Sequence, residues 1–291
     1  MIIADNWKDY ELLDTGYGEK LERWGKVVLR RPDPQAIWPP KLSQDEWDKA
    51  DAIYQRSQTG GGGWRFEQNI PERWPVFYEN KADRLGFYVK MMGFKHTGLF
   101  PEQAVNWNYI IEKIKNAKRS ISVLNLFAYT GGATIAAAYA GAEVCHVDSS
   151  KGMVNWAKEN IVLNGLSDRK VRFIVDDVVK FVKREIRRGK RYDCIIMDPP
   201  SYGRGPEGEK WEIETELFAL VENCCELLSD EPLFFLINGY TTGLSSTILT
   251  NVLKMSSVMK FGGKVTNGEI GLCASSSKLV LPCGTFARWE R

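Results

Sequence analysis

From about residue 101 the chain alternates short continuous apolar runs with stretches that repeat apolar residues at helical spacing. The runs Ile121–Phe127, Val144–Val147, Val171–Val175, Cys194–Met197 and Leu233–Ile237 read as parallel strands buried on both faces, because a half-solvated strand would alternate polar and apolar residues. Between them, Thr130–Tyr139, Ser150–Asn164, Val178–Arg188, Glu212–Leu228 and Leu244–Ser257 predict helices, and Glu102–Asn116 predicts one ahead of the first strand. Lys264–Leu272 and Lys278–Trp289 follow one another without a helix-length spacer, so only an antiparallel hairpin can join them. The pattern predicts an α/β domain over residues 101–291, with five βα units and a terminal hairpin in one seven-stranded mixed sheet.

Residues 1–100 are patterned differently. Short β-type runs at Lys26–Arg30, Trp74–Tyr78 and Phe87–Met91, with one helix at Gln44–Tyr54, predict a small mixed β domain suited to substrate recognition. Its 15 basic and 15 acidic residues cancel, so charge alone gives this region no partner. Gly60–Gly63 reads as a connecting loop, with a lid over a ligand as the alternative.

With 44% apolar and 26% charged residues the chain is neither disordered nor fibrous. Its longest apolar stretches, Pro232–Ile237 and Ala133–Ala142, are far shorter than the roughly 20 residues of a membrane span. Asp5, Lys8 and Asp9 interrupt any signal-peptide pattern, so a cytoplasmic protein is expected. Six cysteines without a C-x-x-C pair or a histidine at zinc spacing predict reduced thiols, with neither disulfides nor a metal site. His96 and His146 are the only histidines and neither adjoins a G-x-S-x-G elbow, which argues against a hydrolytic triad.

Four motifs carry the chemistry. In Val123–Ala133 an apolar strand runs through Phe127-Ala128-Tyr129-Thr130 into Gly131-Gly132 and a helix start, where glycine lets the backbone approach a ligand. The next glycine is Gly141, so the dinucleotide fingerprint G-x-G-x-x-G is absent. Asp148, followed by Ser149, ends the second strand, where a carboxylate accepts from both ribose hydroxyls of an adenine nucleoside; a helix cap is the plainer reading. Asp176-Asp177 ends the third strand; one acid can accept from an adenine amine, Asp177 being favoured, while the other caps the helix. The fourth strand ends in Asp198-Pro199-Pro200-Ser201-Tyr202, which offers a carboxylate, a rigid carbonyl at Pro199 and an aromatic face at Tyr202. That set suits a planar nitrogenous group with N–H donors.

In this order, Leu-Asn-Leu-Phe-Ala-Tyr-Thr-Gly-Gly, Val-Asp-Ser-Ser, Val-Asp-Asp and Met-Asp-Pro-Pro-Ser-Tyr resemble the class I S-adenosylmethionine-dependent methyltransferases. More narrowly, about residues 75–291 are similar to the family containing the large-subunit ribosomal RNA methyltransferases. The resemblance implies a Rossmann-like sheet of order 3-2-1-4-5-7-6, S-adenosylmethionine as cofactor and RNA as substrate. Lys95–Gln103 resembles that family's segment before the catalytic domain, which implies a cofactor contact for Gln103, although Glu102-Gln103-Ala104 stands where Asp-Gln-Arg is usual. Asn125 stands where many class I enzymes carry an acid. Pyrimidine-C5 methylating members place a cysteine after the fourth or fifth strand, where this chain has Ser201 and Ile237-Asn-Gly-Tyr240, so a covalent mechanism is not expected.

These readings converge on methyl transfer to a nucleobase nitrogen in RNA, with Asp198 and Pro199 gripping the amine and Tyr202 stacking on the base. The alternatives are a protein or small-molecule acceptor, a nicotinamide-dependent oxidoreductase, or a non-catalytic RNA binder. Seven cations fall between Lys180 and Arg191; they read as a solvated helix face, or as a phosphate-binding one.

Overall fold

The computed structural model describes residues 1–57, 61–204, 208 and 210–291. The chain forms two compact units: Ile2–Val105 with Gly271–Cys283, and Asn106–Ile270 with Met1 and Gly284–Arg291.

The N-terminal unit holds a five-stranded sheet in the order Tyr10–Gly16, Glu19–Trp24, Val27–Pro32, Ala52–Arg56, Gly62–Phe66, and a separate hairpin of Trp74–Asn80 and Asp83–Val89. Pairing is antiparallel except between Val27–Pro32 and Ala52–Arg56. Glu22 is fully buried, bound by Arg31 through Nε at 2.6 Å and Nη2 at 2.9 Å and by the Tyr10 hydroxyl at 2.8 Å. Burial pushes its carboxyl up, but Arg31 and Lys20 outweigh burial and hold it at about 2.

Two expectations fail in this unit. The helix predicted over Gln44–Tyr54 covers only Gln44–Trp47, and Ala52–Arg56 is a strand. Sheet pairing buries Ala52, Ile53 and Tyr54, and Asp51 fixes the entry by accepting the Val28 N–H at 2.7 Å, so tertiary pairing overrides local helical spacing. Gly62 and Gly63 are strand rather than connector, pairing with Arg56 and Gln55. A Cβ on Gly62 would lie 2.3 Å from the Gln55 carbonyl oxygen, so close pairing requires glycine there. Gly60 lies outside the described residues.

In the larger unit α1 (Ala104–Asn116) precedes β1 (Ser122–Leu126), α2 (Gly132–Tyr139), β2 (Glu143–Asp148), α3 (Lys151–Leu163), β3 (Val171–Val175) and α4 (Val178–Arg187). The chain continues through β4 (Cys194–Met197), α5 (Ile213–Cys225), β5 (Phe234–Gly239), α6 (Ser246–Met255), β6 (Lys264–Cys273) and β7 (Val280–Glu290). The sheet runs β3-β2-β1-β4-β5-β7-β6, and its described strands number eight instead of the expected seven because the two-residue strand Ile2–Ile3 adjoins β6. Strands β1 to β5 are mutually parallel, and β7 is antiparallel to β5.

Side chains alternate across this sheet, so each face has its own chemistry. Leu124, Leu126, Met197 and Ile237 join Phe181, Leu217, Leu220 and Leu249 in one apolar core with α4, α5 and α6. The alternate positions are more polar. Asn125 Nδ2 donates to Thr134 Oγ1 at 2.9 Å, and that hydroxyl lies 2.9 Å from His146 Nδ1. Asn125 is therefore tied to α2, and His146 is held neutral because burial lowers it to about 3.

Candidate cofactor and acceptor site

Strand register sets the site. Val147 pairs with Leu126, Leu126 with Met197 and Met197 with Ile237. The next residue on each chain is Asp148, Phe127, Asp198 and Asn238, so these four form one row along the carboxyl edge of β2, β1, β4 and β5. Ligands of open parallel sheets bind at that edge.

The loop after β1 is tightly specified. Phe127 and Tyr129 have φ of 54° and 51°, a left-handed conformation that costs such residues on the order of 1 kcal/mol each. The fold enforces it: Ala128 N donates to Val147 O at 3.0 Å, and Tyr129 N donates to Asp148 Oδ2 at 2.8 Å. Gly131 has φ of 89°, and a Cβ there would lie 2.9 Å from Ala157 Cβ; on Gly132 it would lie 3.0 Å from the Trp107 ring. Both glycines are thus required by packing as well as by any ligand. Asn160 Nδ2 donates to Thr130 O at 3.0 Å and steadies the loop from α3.

Asp148 accepts one N–H on each carboxylate oxygen, from Tyr129 on Oδ2 and from Ser150 on Oδ1 at 2.9 Å. Each oxygen retains lone-pair capacity for a hydroxyl. Burial raises its carboxyl above the usual range, and these two N–H groups oppose the rise. It is not the helix cap: Ser150 caps α3, its Oγ accepting from Met153 N. Ser149 beside it is exposed.

The helix cap falls to Asp177, the acid expected at the adenine amine. Asp177 caps α4, its Oδ1 accepting from Lys180 N at 2.8 Å, while Asp176 forms an ion pair with Arg184. A helix start needs an acceptor at the position just before it, and α4 begins at Val178, so its phase gives the cap to Asp177.

Beyond β4, Asp198 is half-buried and Pro199 buried. The Pro200 carbonyl accepts the Trp211 indole N–H at 2.7 Å, and the Trp211 ring lies 5.2 Å from that of Phe127. Trp211 thereby ties the Asp-Pro-Pro turn to the first loop, a role no sequence motif signalled. Tyr202 is 48% exposed on a short strand, Tyr202–Arg204, paired with Lys210–Glu212. Gln103 is buried in the 3-10 turn Pro101–Gln103 and belongs to the N-terminal unit. Among the described residues no group of three His, Cys, Asp or Glu is placed to hold a metal ion, and no helix is long and apolar enough to cross a membrane.

Comparison with known proteins agrees with this fold. Residues 67–237 match the S-adenosylmethionine-dependent methyltransferase family. A SAM-dependent methyltransferase of known structure from Agrobacterium tumefaciens is 38% identical, with a TM-score of 0.92 over 99% of this chain and 92% of its own. Ribosomal RNA large subunit methyltransferase K/L of Psychrobacter cryohalolentis is 30% identical over 193 residues, which are 65% of this chain but only 24% of that protein. Ribosomal RNA large subunit methyltransferase K of Neisseria meningitidis is 24% identical over 263 residues, 84% of this chain and 70% of its own length. The Rossmann-like sheet, the loop after β1 and the match over residues 67–237 carry one conclusion: the chain belongs to the S-adenosylmethionine-dependent methyltransferases.

Proposed function

We propose that this protein transfers the methyl group of S-adenosylmethionine to a nitrogen of a nucleobase in large-subunit ribosomal RNA, acting in the cytoplasm. The observation that carries the reading is the row at the sheet edge: Asp148 and Asp198 stand at one level two strands apart, roughly 10 Å across the sheet. A nucleoside with a short charged side chain, followed by the acceptor, fills such a span. Membership of the family removes the nicotinamide-dependent alternative.

The residues present fit the cofactor. Asp148 keeps lone pairs for two ribose hydroxyls, Ser149 is open to solvent beside it, and Phe127–Gly132 bring main-chain groups to the same edge. Because Asp177 is committed to the cap, Asp176 is the acid we assign to the adenine amine, with Arg184 holding it in place. When bound, S-adenosylmethionine supplies an electrophilic methyl group on a cationic sulfur.

Everything else falls to positioning. The Asp198 carboxylate and the Pro199 carbonyl accept the N–H groups of the target amine and turn its lone pair toward the methyl group. Tyr202 stacks on the unpaired base. The names of the relatives and the cations of α4 support an RNA acceptor, and the N-terminal unit is assigned to recognising it.

Labelled methyl transfer from S-adenosylmethionine to total RNA of a strain lacking the gene, followed by nucleoside mass spectrometry, tests this. An N-methylated nucleoside in large-subunit ribosomal RNA is expected. Label confined to protein or small molecules, or a covalent adduct trapped on 5-fluoropyrimidine RNA, overturns it.

A further inference from the structure

Asn238 is the next-to-last residue of β5, in the same row as Asp198, on the adjacent strand and about 5 Å away between backbones. It is only 3% exposed, yet it is not apolar, which is costly unless its amide has a task. Its orientation is fixed through two residues. Arg288 has only N–H groups to offer, and its Nη2 donates to Asn106 Oδ1 at 2.5 Å. Asn106 must therefore turn its nitrogen away from Arg288, and Nδ2 donates to Asn238 Oδ1 at 2.7 Å. The carbonyl end of Asn238 is thus consumed, and its Nδ2 group is left as a pure donor. Among the described residues no acceptor meets that nitrogen. Arg288 cannot swing aside, since its guanidinium is held between the Tyr109 and Phe286 rings at 4.3 and 4.2 Å.

We propose that Asn238 is a specificity-determining residue of the acceptor pocket: its Nδ2 donates to a carbonyl oxygen or unprotonated ring nitrogen adjoining the amine that Asp198 and Pro199 hold. Asn106 and Arg288 are positioning residues that keep the donor outermost. The pocket then reads an edge on which an N–H group and an acceptor are neighbours, a pattern of nucleobases that simple alkyl amines lack. The inference rests on the proposed nucleobase methylation.

Asn106→Asp separates this role from a structural one. Aspartate still accepts from Arg288 but offers no donor to Asn238, whose amide then rotates to give its Nδ2 to the new carboxylate and presents its oxygen outward. That carboxylate gains an ion pair with Arg288, so a merely structural network would be maintained. Methyl transfer to large-subunit ribosomal RNA from a strain lacking the gene is measured at saturating S-adenosylmethionine for wild type, Asn106→Asp and Asn238→Leu, with cofactor affinity from calorimetry. Both variants should lose about 10- to 100-fold in kcat/KM for RNA while the Kd for S-adenosylmethionine stays within about twofold. Should Asn238→Leu fail to fold, Asn106→Asp decides alone. Wild-type methylation with kcat/KM within about twofold in the folded variants overturns the inference and leaves the proposed function standing. Cofactor binding by wild type without methyl transfer to RNA overturns both.

Discussion

The main-chain N–H of Tyr129 donates to Oδ2 of Asp148 at 2.8 Å, so the carboxylate assigned to the ribose also holds the loop after β1 in its left-handed turn. On that assignment one residue serves both the fold of the site and the ligand. Asp148→Ala should weaken S-adenosylmethionine binding by about 1.5–3 kcal/mol, measured by calorimetry on a folded variant. Unchanged affinity would sink the assignment. Because burial raises the Asp148 carboxyl, affinity should decline on acidification at a higher pH than an ordinary aspartate would impose.

His146 gives the fold a second pH dependence. Its imidazole is fully buried and lowered to about 3, against about 6.5 for an unfolded histidine. The unfolded chain therefore takes up the proton first. The contribution of this residue is complete above about pH 6.5 and declines between pH 6.5 and 3 with a slope of about 1.4 kcal/mol per pH unit. Chemical denaturation across that range should show the slope in wild type, and His146→Gln should flatten it. An equal slope in both proteins would contradict the burial argument.

Asp198 is expected to act on the acceptor more than on the cofactor. Asp198→Ala should cut turnover about 10²-fold or more, the usual loss for a positioned polar group in a water-poor site. Its effect on S-adenosylmethionine affinity should be smaller than that of Asp148→Ala. Tyr202→Ala, at a half-exposed position, should weaken acceptor binding by about 1–3 kcal/mol. Full turnover by Asp198→Ala on an identified acceptor would rule out the proposed geometry.

On α4, Val178, Phe181 and Val182 face the core, while Lys183 and Arg187 are exposed, as are Lys190 and Arg191 just beyond its end. Asp176 already pairs with Arg184, and Glu185 with Arg188, so those two arginines are partly neutralised. Replacing Lys183, Arg187 and Lys190 with glutamine should raise the KM for RNA and lower the dependence of binding on salt by about one counterion for each phosphate no longer neutralised. A salt slope equal to that of wild type would return these cations to the role of a solvated face.

The sheet was legible because strands buried on both faces leave continuous apolar runs, and the ends of those runs place Asp148 and Asp198 on one edge. What stayed hidden depends on geometry that spacing does not encode. Asp176 and Asp177 are chemically equivalent neighbours, and only the phase of α4 decides which one caps it. No motif gives Trp211 or Asn238 a role; the first is bonded to the Pro200 carbonyl and the second to Asn106, 132 positions away. The helix expected over Gln44–Tyr54 failed because Ala52–Arg56 finds partners on Val27–Pro32 and Gly62–Phe66, a benefit invisible to local periodicity.

The assignment of Gly271–Cys283 to the N-terminal unit has a consequence for biosynthesis. Asp14 is fully buried and accepts from Lys41 N, Leu42 N and Trp47 Nε1, but its partner at 2.7 Å is the hydroxyl of Ser276. Ser275 N and Ser276 N also donate to the carbonyls of Leu12 and Leu13. Residues Ile2–Val105 must therefore wait for Gly271–Cys283, made well over a hundred positions later, and the nascent N-terminal unit cannot complete its own packing until translation has passed Cys283.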